Sequence, residues 1–212
     1  MIGTTTSRCR SLTENESSNF MLCSVLIPSL WRFDKLKQAI KSFYATADKS
    51  QFEMLIRLQE NDEESVRRQG ELSGFGYNLT VFVGRPKPEG VGNSWLWNDM
   101  MQHATGDWHQ YWSDDQTISG DWSTQLAALP IKGIVAQPEI HQLNNSRYLS
   151  DKLGPTPFIP RDAFTNTGMN ELPEPIDTGG VLHLFKNGWN HVFLKGVGVH
   201  HIREADRTLP VA

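Results

Sequence analysis

Apolar residues along this chain fall into short runs that alternate with stretches of helical spacing. "MLCSVLIPS" is a continuous apolar run ending at Pro28, as in a strand buried on both faces. "RFDKLKQAIKSFYATA" follows, with Phe33, Leu36, Ile40 and Phe43 on one helical face. "FEMLIRL" predicts a second strand, "NDEESVRRQGEL" a charged helix and "NLTVFVG" a third strand. In "GVGNSWLWNDMMQHATGDW", Gly92 and Asn93 are placed to cap a helix. Leu96, Met100 and His103 carry its spacing, and Gly106 fits its C-terminal stop. "WHQYW" predicts a fourth strand. "SGDWSTQLAALP" predicts a helix capped by Ser119 and closed by Pro130, and "GIVAQPEI" a fifth strand. Past residue 145 the pattern weakens into Pro- and Gly-rich loops, then a helix starting at Asp177. "HVFLKGVGVHHI" is a last strand, ending in His200 and His201.

Strand–helix alternation of this kind predicts an α/β fold, a mostly parallel central sheet flanked by helices. In such sheets ligands bind beyond the C-terminal ends of the strands. Pro28–Arg32, Gln59–Asp62 and Ser113–Gln116 all fall at such ends. The last holds Asp114 and Asp115 side by side after an apolar stretch. Like charges at that spacing repel, more so where water is scarce, so either solvent screens them or something positive sits between them. Their bland alternative is an exposed turn with helix-capping acids.

Composition narrows the class. With 212 residues the chain can bury a substantial core. We expect a flexible polar arm over residues 1–20 and one domain over 21–212. Twenty basic residues against 24 acidic ones, with no basic block, argue against a protein that grips nucleic acid by its phosphates. The two cysteines, Cys9 and Cys23, form neither a disulfide framework nor a zinc site and point to a reducing, cytoplasmic setting. The N-terminus is polar, and no apolar run is long enough to span a bilayer.

Several of these pieces together resemble the GT-A fold glycosyltransferases, those like glycosyltransferase family 2, over roughly residues 21–208. "SVLIPSLWRFDKLKQAIKSF" is similar to the family's opening strand, turn and first helix. "FEMLIRLQENDEES" resembles the second strand with its acidic, nucleotide-contacting end, and "GVGNSWLWNDMMQHATGDWHQYWSDD" the stretch leading into the DxD motif. The resemblance implies transfer of a sugar from a nucleotide-sugar donor to a hydroxyl acceptor with inversion, assisted by Mn²⁺ or Mg²⁺. It implies donor contacts at Pro28, Ser29, Arg32, Gln59, Glu60, Asn93 and Asp114. It implies metal ligation by Asp115 and a late histidine, taken as His200 with His201 open. It implies a catalytic base at Asp177, with Glu174 as competitor. The chain departs from the pattern where Ser113 replaces the first Asp of the motif, and where Gln59-Glu60-Asn61-Asp62 replaces an Asp pair.

The bland readings stand beside these. Asp177 serves equally as an N-cap, Arg32 as a solvated residue at a helix start, and one of the two histidines as a buried strand-end ring. Two rival functions remain: a non-catalytic nucleotide-sugar binder on the same fold, and a nucleotidyltransferase. The latter class opens with a Gly-rich basic loop, which "PSLWRF" lacks. The acceptor is open among a glycan, a lipid-linked sugar and a modified base, as is the oligomeric state.

Overall fold

The computed structural model describes residues 21–76, 78–92, 94–143, 146–149, 156–163 and 184–202. Their strands form one nine-stranded sheet. It is built from β1 (Cys23–Ser29), β2 (Phe52–Gln59), β3 (Leu79–Gly84), β4 (Trp108–Tyr111), β5 (Gln116–Ser119), β6 (Ile134–Leu143), β7 (Ser146–Leu149), β8 (Phe158–Pro160) and β9 (Asn190–His201). The order is β3-β2-β1-β4-β8-β6-β9-β5, with β7 off this path and antiparallel to the end of β6. The helices are α1 (Phe33–Thr46), α2 (Glu63–Arg68), α3 (Ser94–Met101) and α4 (Trp122–Ala127).

The half of the sheet built from β1 to β4 is parallel, as the alternation of elements demands. Beyond β4 the sheet is mixed: β8 runs antiparallel to β4 and β6, β9 parallel to β6, and β5 antiparallel to β9. Parallel neighbours need a crossover, whereas β5 reaches β9 through contacts far apart in sequence, which local patterning does not encode.

Side chains of the parallel strands alternate between two cores. Cys23, Val25 and Ile27 of β1 join Phe52, Met54, Ile56 and Leu58 of β2 under α1. Leu26 and Leu55 point the other way, into a cluster with Met100 and Tyr111 beside α3. Phe43 anchors the first core, its ring edge-on to Trp112 and Trp122 at centroid distances of 4.9 and 5.7 Å. Trp108, Trp112 and Trp122 are wholly buried, and Trp95 and Trp97 partly so. Cys23 is a buried free thiol.

Three local expectations are corrected. Helix α4 is capped by Asp121, whose carboxylate accepts the N–H of Thr124, and not by Ser119, which belongs to β5. Helix α3 stops at Met101, so His103 lies past its end and Gly106 does not terminate it. Gly106 is glycine for a different reason: a Cβ there would lie 2.5 Å from the backbone nitrogen of Ser24. Its own N–H donates to the Ser24 hydroxyl, tying the entry of β4 to β1.

Strand order places the site. β1 has β2 on one side and β4 on the other, so the connections leave β1 in opposite directions and open a crevice above β1 and β4. Ser29 ends β1 and the acidic pair follows β4, so both stand at that crevice.

Candidate active site

The chain builds the crevice from two loops. After Ser29 the β1–α1 loop turns sharply, with Trp31 at φ 55°, a left-handed conformation rare for a bulky residue. The buried carboxylate of Asp62 holds this turn, accepting the Trp31 N–H at 2.6 Å. Asp62 also caps α2 through the N–H of Ser65, so one side chain fastens the loop after β1 to the loop after β2. Strain of this sort persists where the surroundings over-determine it. The outcome is an indole 64% exposed at the rim and an Arg32 side chain directed at the crevice.

Arg32 answers the question raised by the adjacent aspartates. Its Nη1 lies 3.2 Å from Asp114 Oδ1 and 3.1 Å from Asp115 Oδ2, between the two carboxylates. Each acid is fixed from its other oxygen. The Ser29 hydroxyl donates to Asp114 Oδ2 at 2.8 Å, and the Ser113 hydroxyl to Asp115 Oδ1 at 2.5 Å. Ser113, which stands where the motif has its first acid, thus orients the last one. Asp114 is buried, and burial pushes its carboxyl up to about 6. Arg32, the Ser29 hydroxyl and the Leu30 N–H pull the other way, and Asp115 adds to the rise. Asp115 is the more accessible of the pair, its side chain 21% exposed.

The other predicted residues distribute as follows. Pro28 lies within β1, half-buried. Gln59 ends β2 and is buried, its Oε1 accepting the N–H of Lys87. Glu60 is exposed, and its N–H bonds the carbonyl of Gly84. His200 sits opposite Thr117 in the β9–β5 ladder, and its Nε2 contacts the Ser119 hydroxyl at 2.8 Å. His201 sits opposite Gln116, with Nε2 2.9 Å from the Gln116 amide. The Ile202 N–H bonds the carbonyl of Asp115, which brings the end of β9 against the acidic loop. Asn93, Glu174 and Asp177 lie outside the described residues.

Sequence reasoning placed Trp31 and Asp62 at strand ends but gave neither a role of its own, and it passed over Arg57. Arg57 is buried in β2. Its Nε meets Asp99 at 2.7 Å, its Nη2 donates to the Arg85 carbonyl, and its guanidinium lies 5.1 Å from the centroid of the Trp95 ring. The signal was present: a lone arginine inside the apolar run "FEMLIRL" is the kind of buried charge that needs a partner. Asp62 was legible as an N-cap three residues before Ser65.

Among the described residues, no group of three or more His, Cys, Asp or Glu side chains gathers as a metal cluster. The pair itself suits a hard divalent ion in kind: two carboxylate oxygens already converge on one cationic nitrogen, and oxygen donors are what Mn²⁺ and Mg²⁺ take. A shallow depression of about 570 Å³ lies elsewhere, between the C-terminal end of α1 and the start of α4, and none of the candidate residues lines it. No described helix is long and apolar enough to cross a membrane.

No protein-family profile matches the sequence, and no curated protein does. Solved structures do match. Residues 1–349 of S. aureus TarS, in complex with UDP-GlcNAc, superpose with a TM-score of 0.69 at 14% identity, covering 89% of this chain and 62% of that one. The mannosyltransferase PcManGT from Pyrobaculum calidifontis, in complex with GDP-Man and Mn²⁺, gives a TM-score of 0.62 at 13% identity, covering 86% and 57%. GalNAc-T7 with UDP, GalNAc and Mn²⁺ gives 0.63 at 13% identity, covering 92% and 46%. The chain thus spans less than two thirds of each neighbour's length. Parallel strands β1 to β4, the crevice above β1 and β4, and these superpositions together establish that the chain has the GT-A fold, the fold of these glycosyltransferases.

Proposed function

We propose that this protein is a glycosyltransferase that moves a sugar from a nucleotide-sugar donor to a hydroxyl acceptor with inversion. The observation that carries the reading is the convergence of Ser29, Arg32, Ser113, Asp114 and Asp115 at the β1/β4 crevice of a GT-A sheet. That position is where an open α/β sheet takes its ligand, and the neighbours hold UDP-GlcNAc or GDP-Man.

Each residue has a part. Asp115, with a late histidine (His200, or His201 as its neighbour), would hold a divalent cation, which when bound neutralises charge on the diphosphate leaving group. Asp114, pinned by Ser29, sets the geometry of the acidic loop. Arg32 meets phosphate oxygens, for which its planar fork is suited. Pro28, Gln59, Glu60 and Asn93 border the nucleoside. Asp177, with Glu174 as the alternative, accepts the proton of the attacking hydroxyl. The acceptor's class, a glycan, a lipid-linked sugar or a modified base, stays open within this proposal. The two-cysteine composition supports a reducing, cytoplasmic setting as part of this reading, which takes residues 21–212 as one domain.

The test is calorimetric titration with UDP-GlcNAc and GDP-mannose, with and without Mn²⁺, followed by assays of donor hydrolysis and transfer. Donor binding should depend on Mn²⁺ and vanish in Asp115→Ala, while the unfolding midpoint stays put. Asp177→Asn should leave donor affinity intact and lower turnover by roughly 10²- to 10⁴-fold, the usual worth of a general base. Donor affinity unchanged in Asp115→Ala would refute the metal assignment. Donor binding with neither hydrolysis nor transfer would favour a nucleotide-sugar binder on the same fold.

A further inference from the structure

Helix α1 breaks a local rule at its start. Its N-cap position is Arg32, which makes no side-chain capping bond, although Ser, Thr, Asp or Asn there would satisfy an open N–H. Rules of this kind are broken at sites where the side chain has another task. The other task is visible: Arg32 reaches across the crevice to Asp114 and Asp115.

The manner of that contact is informative. A single nitrogen, Nη1, meets both carboxylates, and the rest of the guanidinium fork bonds no described residue. The opposite oxygens of the two acids are occupied by the Ser29 and Ser113 hydroxyls. The oxygens presented to the crevice are therefore Asp114 Oδ1 and Asp115 Oδ2, the two that Arg32 holds. A divalent ion coordinates oxygen at roughly 2.0–2.6 Å. An ion set on those two atoms would share them with Nη1 at close range, with like charge near like. Arg32 and a divalent cation claim the same two oxygens. The arginine side chain is 39% exposed and held at one nitrogen, so it is free to leave.

We propose that Arg32 is a built-in counter-ion that is exchanged rather than a fixed member of the site. Its guanidinium holds the two facing oxygens together, yields them to the divalent cation, and turns its fork to the donor's diphosphate. Cation binding and phosphate binding are thereby coupled through one side chain. The idea rests on the donor-binding reading above. It extends that reading by making the arginine a competitor of the cation in the absence of donor and an ally in its presence.

The experiment is a titration of the full-length protein with Mn²⁺ alone, followed by the electron paramagnetic resonance signal of free Mn²⁺. It compares the wild type with Arg32→Ala, Arg32→Lys and Asp115→Asn, circular dichroism confirming the fold of each. Breaking two partly exposed ion pairs should cost the wild type about fivefold in affinity, so Arg32→Ala should bind Mn²⁺ about fivefold more tightly. Arg32→Lys should fall between the two. Free guanidinium ion added to Arg32→Ala should reverse the gain, and sodium chloride of equal ionic strength should not. With Mn²⁺ saturating, Arg32→Ala should bind UDP about tenfold more weakly, having lost a charge-assisted contact. If Arg32→Ala binds Mn²⁺ no more tightly than the wild type, the exchange is wrong. The same follows if sodium chloride reverses the gain as well as guanidinium does, because diffuse repulsion then explains it. In both cases, loss of Mn²⁺ binding in Asp115→Asn would leave the metal reading standing. If Asp115→Asn binds Mn²⁺ as the wild type does, or no form binds it, the metal reading and the exchange fall together.

Discussion

Acid should unfold this protein through one histidine in the middle of its sheet. His109 sits in β4 between Ser24 of β1 and Ile159 of β8, and is 2% exposed. Burial, helped by the charge of Arg161, lowers its pKa from 6.5 to about 4. The folded state therefore keeps the ring neutral where the unfolded chain protonates it. A group with a depressed folded pKa lends stability above its unfolded value, and that stability is lost as pH falls through the window between 6.5 and 4. The gap is about 2.5 units; at about 1.4 kcal/mol per unit the loss by pH 4 approaches 3 kcal/mol, since the folded ring is itself half protonated there. That is a large share of a typical domain's stability. The variant is His109→Gln, which cannot titrate. Urea unfolding of both proteins in chelator, at a series of pH values between 7 and 4, separates this residue from the carboxylates that titrate in both. The wild type should lose about 3 kcal/mol more than the variant over that range. β4 delivers Asp114 and Asp115 to the crevice, so donor binding should fail along with the strand. Parallel pH profiles for the two proteins would refute the reasoning, whatever their absolute stabilities.

Two further outcomes follow from the architecture. Gly106→Ala should destabilise by about 1–3 kcal/mol, because the new methyl meets the β1 backbone at 2.5 Å, where no flexible side chain can yield; an unchanged urea midpoint would contradict this. Asp62→Ala should cost roughly 1–3 kcal/mol through the lost α2 cap and the orphaned Trp31 N–H. It should also change the emission of the exposed Trp31, and a spectrum identical to the wild type's would show that Asp62 does not hold the turn.

The sequence alone determined the parallel half of the fold. Runs such as "SVLIPS" and "FEMLIRL" are buried on both faces, and that burial is written in apolar residues close together in the chain. Phe33, Leu36, Ile40 and Phe43 likewise announced the buried face of α1. Because ligands gather where parallel strands end, Ser29, Gln59 and the acidic pair could be named from position alone. β5 was not legible: Gln116–Ser119 is four residues long, with Ile118 its one apolar side chain, and becomes a strand by pairing with β9 far along the chain. Gly106 looked like a helix stop because sequence shows that a glycine is present, not which backbone approaches it.

Tertiary structure decided the chemistry of the acidic pair. Nothing local says that Arg32, more than eighty residues upstream, is the positive charge between Asp114 and Asp115. Nor does sequence show that the serine in the motif's first position fixes the acid in its last. Those contacts arise because β1 and β4 are neighbours in the sheet, so loops distant in the chain end at one crevice. Periodicity reports which face of an element is buried; which charges meet across a crevice depends on strand order, and that is fixed only when the whole sheet closes its hydrogen bonds and its core.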